Sequence, residues 1–194
     1  MGTDKAFIEV GGRALATIAR DALRDAGARE VMAIGGDGDA FEPLGLRAVA
    51  DQWPGEGPLG GVVTALAAAA HDVVVVLACD LPAVDALAVT AVLSGLADAN
   101  ADAAVPMVDG VPQVLVAAYR RRCGAPLEDA LRAGTRRLRD AVDGLRVAHV
   151  ALEEPGWVRN VNQPADLERF RSLERDRQGV DALERHADER PDHQ

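Results

Sequence analysis

The 194-residue sequence predicts an α/β domain in three layers, with a mostly parallel sheet between helices. Three observations predict it. Apolar runs of strand length alternate with stretches of helical periodicity, the pattern of strand–helix–strand units. One run, Val73-Val74-Val75-Val76-Leu77-Ala78, is apolar without interruption, as suits a strand covered on both faces. The apolar fraction is 48% but aromatics are only 3%, so the core is built of small aliphatics that let helices pack closely on a sheet.

The elements follow in order. Gly11-Gly12, between short apolar segments, predicts a tight turn. From Ala14 to Ala26, Leu15, Ile18, Ala19, Ala22 and Leu23 recur at helical spacing, with Gly27 as the stop. Val31 to Ile34 and Leu46 to Ala50 read as strands, the first running out into glycines and the second ending at Asp51. Gly60 to Ala70 reads as a helix entered through Pro58. The Val73 run ends in Cys79-Asp80-Leu81-Pro82, and helix follows from about Val84 to Leu96. Ala103 to Met107 is a strand, whereas Val114 to Tyr119 suits strand or helix. Pro126 to Ala133 and Thr135 to Val142 read as short helices split by Gly134. Val147 to Leu152 is a late strand and Ala165 onward is helical. Residues 1–170 are expected to form the domain, and 171–194 a charged tail without chemistry.

The net charge of −10, with basic residues scattered, argues against nucleic-acid binding. No run is long and apolar enough to span a membrane, and no secretory signal opens the chain, so a cytoplasmic location is expected. Cys79, Cys123 and the four histidines show no metal-ligand spacing. Among 21 basic residues Lys5 is the only lysine, a compact ammonium where every other position uses arginine. Sites on parallel sheets lie at the C-terminal ends of strands. Asp51 and Asp80 each follow an apolar strand, and each is read either as a site carboxylate or as a cap for the next segment. Gly35-Gly36-Asp37-Gly38-Asp39 could be mistaken for a phosphate loop and contains D-x-D, but turn residues leaving a strand are its ordinary explanation.

Four segments, in order, resemble the molybdenum cofactor guanylyltransferase family. Met1-Gly2-Thr3-Asp4-Lys5-Ala6 is similar to the end of the signature L-A-G-G-x-S-x-R-M-G-x-D-K. Asp51-Gln52-Trp53-Pro54-Gly55-Glu56-Gly57-Pro58-Leu59-Gly60-Gly61, Leu77-Ala78-Cys79-Asp80-Leu81-Pro82 and Asn160-Val161-Asn162-Gln163-Pro164-Ala165-Asp166-Leu167 match in spacing. The resemblance implies a Rossmann-like nucleotidyltransferase sheet. It also implies Mg²⁺-dependent transfer of GMP from GTP to molybdopterin with release of pyrophosphate. Such chemistry rests on positioning and charge neutralisation and needs no protein nucleophile. Transient contact with molybdoenzymes or cofactor-synthesis proteins is a further implication.

Carried onto this sequence, the resemblance implies that Lys5 contacts the nucleotide phosphates and Asp80 holds Mg²⁺. It assigns Gly36, Asp51 and Gly60 to nucleotide binding, and Gly60, Gly61, Arg137, Asn160 and Asn162 to the molybdopterin side. Asn162 with Pro164 also makes an ordinary helix entry, and Arg136-Arg137 an ordinary solvated face. One departure stands out. The signature's L-A-G-G-x-S-x-R part, which carries the family's first strand and phosphate loop, would lie ahead of Met1. The expectation is a start further upstream, and without that strand the flanking ones would keep unpaired edges. A cytidylyltransferase acting on the same cofactor, and a non-catalytic nucleotide- or cofactor-binding protein, are the alternatives.

Overall fold

The computed structural model describes residues 5–160 and Asp166. Its first hairpin joins β1 (Glu9–Val10) to β2 (Arg13–Ala14) antiparallel, through Gly11 and Gly12 at φ +58° and +76°. Two successive positive φ values are what a two-residue hairpin turn needs and what glycine adopts without strain. Helix α1 (Leu15–Asp25) buries Leu15, Ile18 and Ala22 on one face, the periodicity read from the sequence.

Next come β3 (Met32–Ile34), a short helix α2 (Gly38–Phe41) and β4 (Arg47–Val49), which pairs parallel with β3. Helix α3 (Gly57–Ala68) starts three residues before the predicted Gly60, with Pro58 in its first turn, where the missing N–H costs nothing. It leads to β5 (Val73–Leu77), and then α4 (Ala86–Asp98), capped by Asp85, whose Oδ1 accepts from the Leu87 and Ala88 amides at 2.9 and 3.1 Å.

The main sheet is completed by β6 (Ala103–Val108), the short β7 (Val111–Pro112), β8 (Val116–Arg120) and β9 (Val147–Val150), in the order β5-β8-β6, with β9 and β7 also on β6. β8 settles the strand-or-helix ambiguity as a strand, antiparallel to β5 over five residue pairs and also antiparallel to β6. β5, β6 and β9 therefore run one way and β8 the other. Helices α5 (Gly124–Arg132) and α6 (Leu138–Val142) pack with α3 on one face of β5, where Val74 and Val76 point. Helices α1 and α4 cover the other face, reached by Val75 and Leu77. That is the predicted α/β/α layering.

The centre departs from full coverage. β6 and β8 are buried, Ala103, Ala104, Val105, Ala117 and Ala118 being 0% exposed. β5, predicted to be covered on both faces, is only half-buried over Val74–Leu77, and so is all of β3. Among the described residues β3 pairs with β4 alone and β5 with β8 alone. A cavity of about 580 Å³ separates them. No helix among the described residues is long and apolar enough to cross a membrane.

Candidate active site

Lys5 begins a single 3₁₀ turn, Lys5–Phe7, which is anchored by Ala6 (3% exposed) packing with Ala16, Phe41 and Leu46. From there its Nζ lies 3.5 Å from Asp80 Oδ2. Asp80 sits in the turn that leaves β5, held by the buried Leu81 and Val84 that follow it. The chain's one lysine thus meets the carboxylate at the end of its most apolar strand. The Asp80 side chain is 14% exposed, and its other oxygen, Oδ1, is buried without a hydrogen-bond partner among the described residues. A buried carboxylate oxygen with no donor is costly, and native proteins rarely leave one so unless a cation or ligand completes it.

Asp51, directly after Ala50 at the exit of β4, is held by a compact network. Its Oδ1 accepts from the Trp53 amide at 3.0 Å and from Thr64 Oγ1 at 2.9 Å. Thr64 is 0% exposed; its Oγ1 also lies 3.0 Å from the Gly60 carbonyl and accepts from the Gln52 amide at 3.1 Å. The cap-like alternative for Asp51 is therefore partly correct, since it closes its own loop, but it does so as one arm of a buried hub in α3.

The glycines among the sequence-derived positions shape the loops beside Asp51. Gly35 and Gly36 leave β3 at φ +75° and +77°, and a Cβ on Gly35 would touch Asp51 Cβ at 3.8 Å, so the exits of β3 and β4 lie side by side. Asp37 caps α2 through the Asp39 amide at 3.1 Å; the D-x-D is spent on a helix start. Gly60 is buried against Trp53: an added Cβ would lie 2.8 Å from Trp53 Cβ and 2.9 Å from its carbonyl oxygen. The close backbone approach at Gly60 is thus made by the chain's own loop, while Gly61 borders open space.

Arg137 is exposed at the start of α6. Its neighbour Arg136 pairs with Glu56 at 2.7 Å, and Arg132 lies over the Trp53 ring at 4.9 Å, so this basic stretch flanks the loop before α3. Asn160 is exposed just beyond Trp157 and Val158, which are buried in the same cluster as Leu81 and Val84. Asn162 lies outside the described residues.

Sequence reasoning missed Thr64, Trp53 and the Glu56–Arg136 pair. Thr64 carried one signal, as the lone hydroxyl in the otherwise apolar helix of Leu59 to Ala68. The Arg132–Trp53 contact joins residues about eighty positions apart and left no local trace.

The sheet, with Asp51 and Asp80 where strands end, has the Rossmann-like fold of solved nucleotidyltransferases. The crystal structure of molybdopterin-guanine dinucleotide biosynthesis protein A from Archaeoglobus fulgidus matches with a TM-score of 0.72 at 24% identity, over 89% of this chain and 91% of that one. That of 2-C-methyl-D-erythritol 4-phosphate cytidylyltransferase from Thermus thermophilus matches at 0.71 and 25%, over 88% and 94%. Within that class the model of the MobA-like NTP transferase domain matches residues 1–150, and the chain belongs to that family. A probable molybdenum cofactor guanylyltransferase of Bacillus licheniformis is 33% identical over 176 residues, spanning 86% of this chain and 88% of that protein. The chain is accordingly an enzyme of the nucleotidyltransferase class.

Proposed function

We propose that the protein transfers GMP from GTP to molybdopterin, releasing pyrophosphate in a Mg²⁺-dependent reaction. The carrying observation is the Lys5–Asp80 pair with Asp80 Oδ1 left buried and partnerless. Among the described residues no group of three or more His, Cys, Asp or Glu is placed to hold a metal. A hard cation that takes one or two carboxylates and completes its shell with phosphate and water fits this donor set, with Asp80 as the protein ligand. Bound there, Mg²⁺ would supply charge neutralisation on the phosphates.

The chain's own residues supply the rest. Lys5 sets a point charge beside Asp80, so approaching phosphate oxygens meet a cation that an opposing carboxylate keeps in position. Asp51, fixed by Thr64 and the Trp53 amide, presents its remaining capacity to the nucleotide next to Gly35 and Gly36. Asn160, Asn162, Gly61 and Arg137 serve the molybdopterin side, and Gly60, buried under Trp53, contributes by seating that loop on α3. Base preference is the part on which the fold is neutral, because guanylyl- and cytidylyltransferases match it almost equally well.

The test is direct. Protein, Mg²⁺ and molybdopterin are incubated with GTP or with CTP, and pyrophosphate release is followed. Faster release with GTP supports guanylyl transfer. Preference for CTP replaces it with cytidylyl transfer, and tight nucleotide binding without release from either moves the protein to a binding role.

A further inference from the structure

Strands β7 and β8 are joined by the turn 113–116, which the Val116 amide closes by donating to the Gln113 carbonyl at 2.9 Å. Its central residues are Val114 and Leu115, neither of which favours a turn as glycine, proline, asparagine or aspartate does. With no turn-forming residue of its own, the turn is held from outside. The Gln113 amide donates to the Pro106 carbonyl of β6 at 2.8 Å. The Tyr119 hydroxyl, reaching back from β8, donates to the Val114 carbonyl at 2.7 Å. Tyr119 is 0% exposed, and it belongs to the apolar cluster shared with α3, α5 and α6. Burial pushes its phenol up, so the hydroxyl keeps its proton and stays a donor. Phenylalanine would fill the same space; what tyrosine adds is that one bond.

The far side of the turn leads to the candidate active site. Leu115 offers its carbonyl to the Ala78 amide at 2.8 Å, one step past the last β5–β8 register pair, Leu77 with Val116. Asp80 follows two residues later. Val116, 2% exposed, lies in the same apolar cluster as Leu77, Ala78, Leu81 and Val84, which flank Asp80 on both sides. From this geometry we infer that Tyr119 is a positioning residue for the Asp80 carboxylate. Its hydroxyl fixes the Val114 carbonyl and hence the turn, and the turn, through Leu115 and Ala78, fixes where β5 releases Asp80. A cation held by one or two protein oxygens depends on where those oxygens stand, and the groups behind a ligand set its direction. The inference rests on the reading of Asp80 as the metal carboxylate.

The test compares the parent chain with Tyr119→Phe and with a control, Leu127→Val. Leu127 is buried in the same cluster as Tyr119 but stands on α5, so the control loosens the core and leaves the hydroxyl in place. Residue-resolved amide exchange reads the Ala78 hydrogen bond. Binding of Mn²⁺ in the presence of GTP, followed by electron paramagnetic resonance, reads the site without turnover. Tyr119→Phe should speed exchange at Ala78 about fivefold or more relative to amides in the middle of the β5–β8 ladder. It should also weaken Mn²⁺ binding about fivefold, the scale of one lost hydrogen bond. Leu127→Val should leave both at their parent values. Unchanged relative exchange at Ala78 would overturn the inference, because the hydroxyl would not be what holds the turn. So would faster exchange with unchanged Mn²⁺ binding, because the turn would not place Asp80. Equal weakening of Mn²⁺ binding in Leu127→Val would replace it with a general loosening of the core. The reading of Asp80 is tested apart: Mn²⁺ binding that Asp80→Asn leaves unchanged would overturn that reading, and this inference with it, whatever the exchange at Ala78.

Discussion

At the scale of single residues, the site depends on a few groups whose partners are fixed. Thr64 is the clearest case, since one buried hydroxyl bridges Asp51, the Gln52 amide and the Gly60 carbonyl. Thr64→Val keeps the shape and removes the bonds. Losing a hydrogen bond to a charged group costs about 1.5–3 kcal/mol, so KM for GTP should rise roughly tenfold or more, with Thr64→Ser close to the parent enzyme. A Thr64→Val enzyme with unchanged KM would separate Asp51 from nucleotide binding. Lys5→Ala should raise KM for GTP, and Lys5→Arg should not restore it, because a forked guanidinium does not replace a compact ammonium beside Asp80. Full rescue by arginine would show that charge alone matters. At this scale the sequence was informative where composition was odd, as with the single lysine, and where a carboxylate ended a strand. It was silent on Thr64 and Trp53, because a buried hub and a cation–π contact depend on which helices meet.

At the scale of elements, glycine placement explains how loop 51–56 lies on α3. Gly60 lets Trp53 sit against the helix backbone, and Gly60→Ala would force Cβ into the Trp53 main chain at 2.9 Å. Overpacking of this kind costs about 1–3 kcal/mol, so the melting temperature should fall measurably while Gly61→Ala, with nothing within 4 Å, changes it little. Equal melting of the two variants would mean that the loop shifts freely. Most elements were legible because periodicity survives in each: Leu15–Asp25 by its apolar stripe, Val73–Leu77 by its run, the hairpin by Gly11-Gly12. The short α2 was hidden behind turn residues that in fact cap it, and the antiparallel direction of β8 was not legible because pairing partners lie outside the strand's own sequence. The half-buried state of β5 goes with its pairing to β8 alone among the described residues, which no local pattern encodes.

At the scale of the whole molecule, Asp102 ties distant parts of the chain together. Its carboxylate accepts from Arg146 at 3.0 Å, ahead of β9, and from Arg122 at 2.8 Å, ahead of α5, while its carbonyl receives the Cys123 thiol at 3.1 Å. The hydrogen bonds from Arg146 and then Arg122 hold the Asp102 carboxyl well below the usual carboxylate range. A depressed folded-state pKa gives stability that is fully present above the unfolded value, about 3.9, and is lost only as pH falls further toward the folded value. Asp102→Asn should therefore melt lower than the parent at neutral pH, and the gap should begin to close only below about pH 4 and go on narrowing as pH falls further. A constant gap down to the lowest pH would show that the carboxylate's charge is not what holds these segments.

The account as a whole turns on Asp80 as the carboxylate that brings Mg²⁺ to the phosphates. The most direct measurement is Mg²⁺-dependent pyrophosphate release from GTP with molybdopterin, for the parent chain and for Asp80→Asn, alongside their melting temperatures. The account predicts a loss of about a hundredfold or more in turnover with little change in melting, since Asp80 Oδ1 has no hydrogen bond within the described fold to lose and Oδ2 loses only a long 3.5 Å pair with the part-exposed Lys5. Near-normal turnover in Asp80→Asn, with Mg²⁺ still required, would remove Asp80 from the mechanism and contradict the central claim.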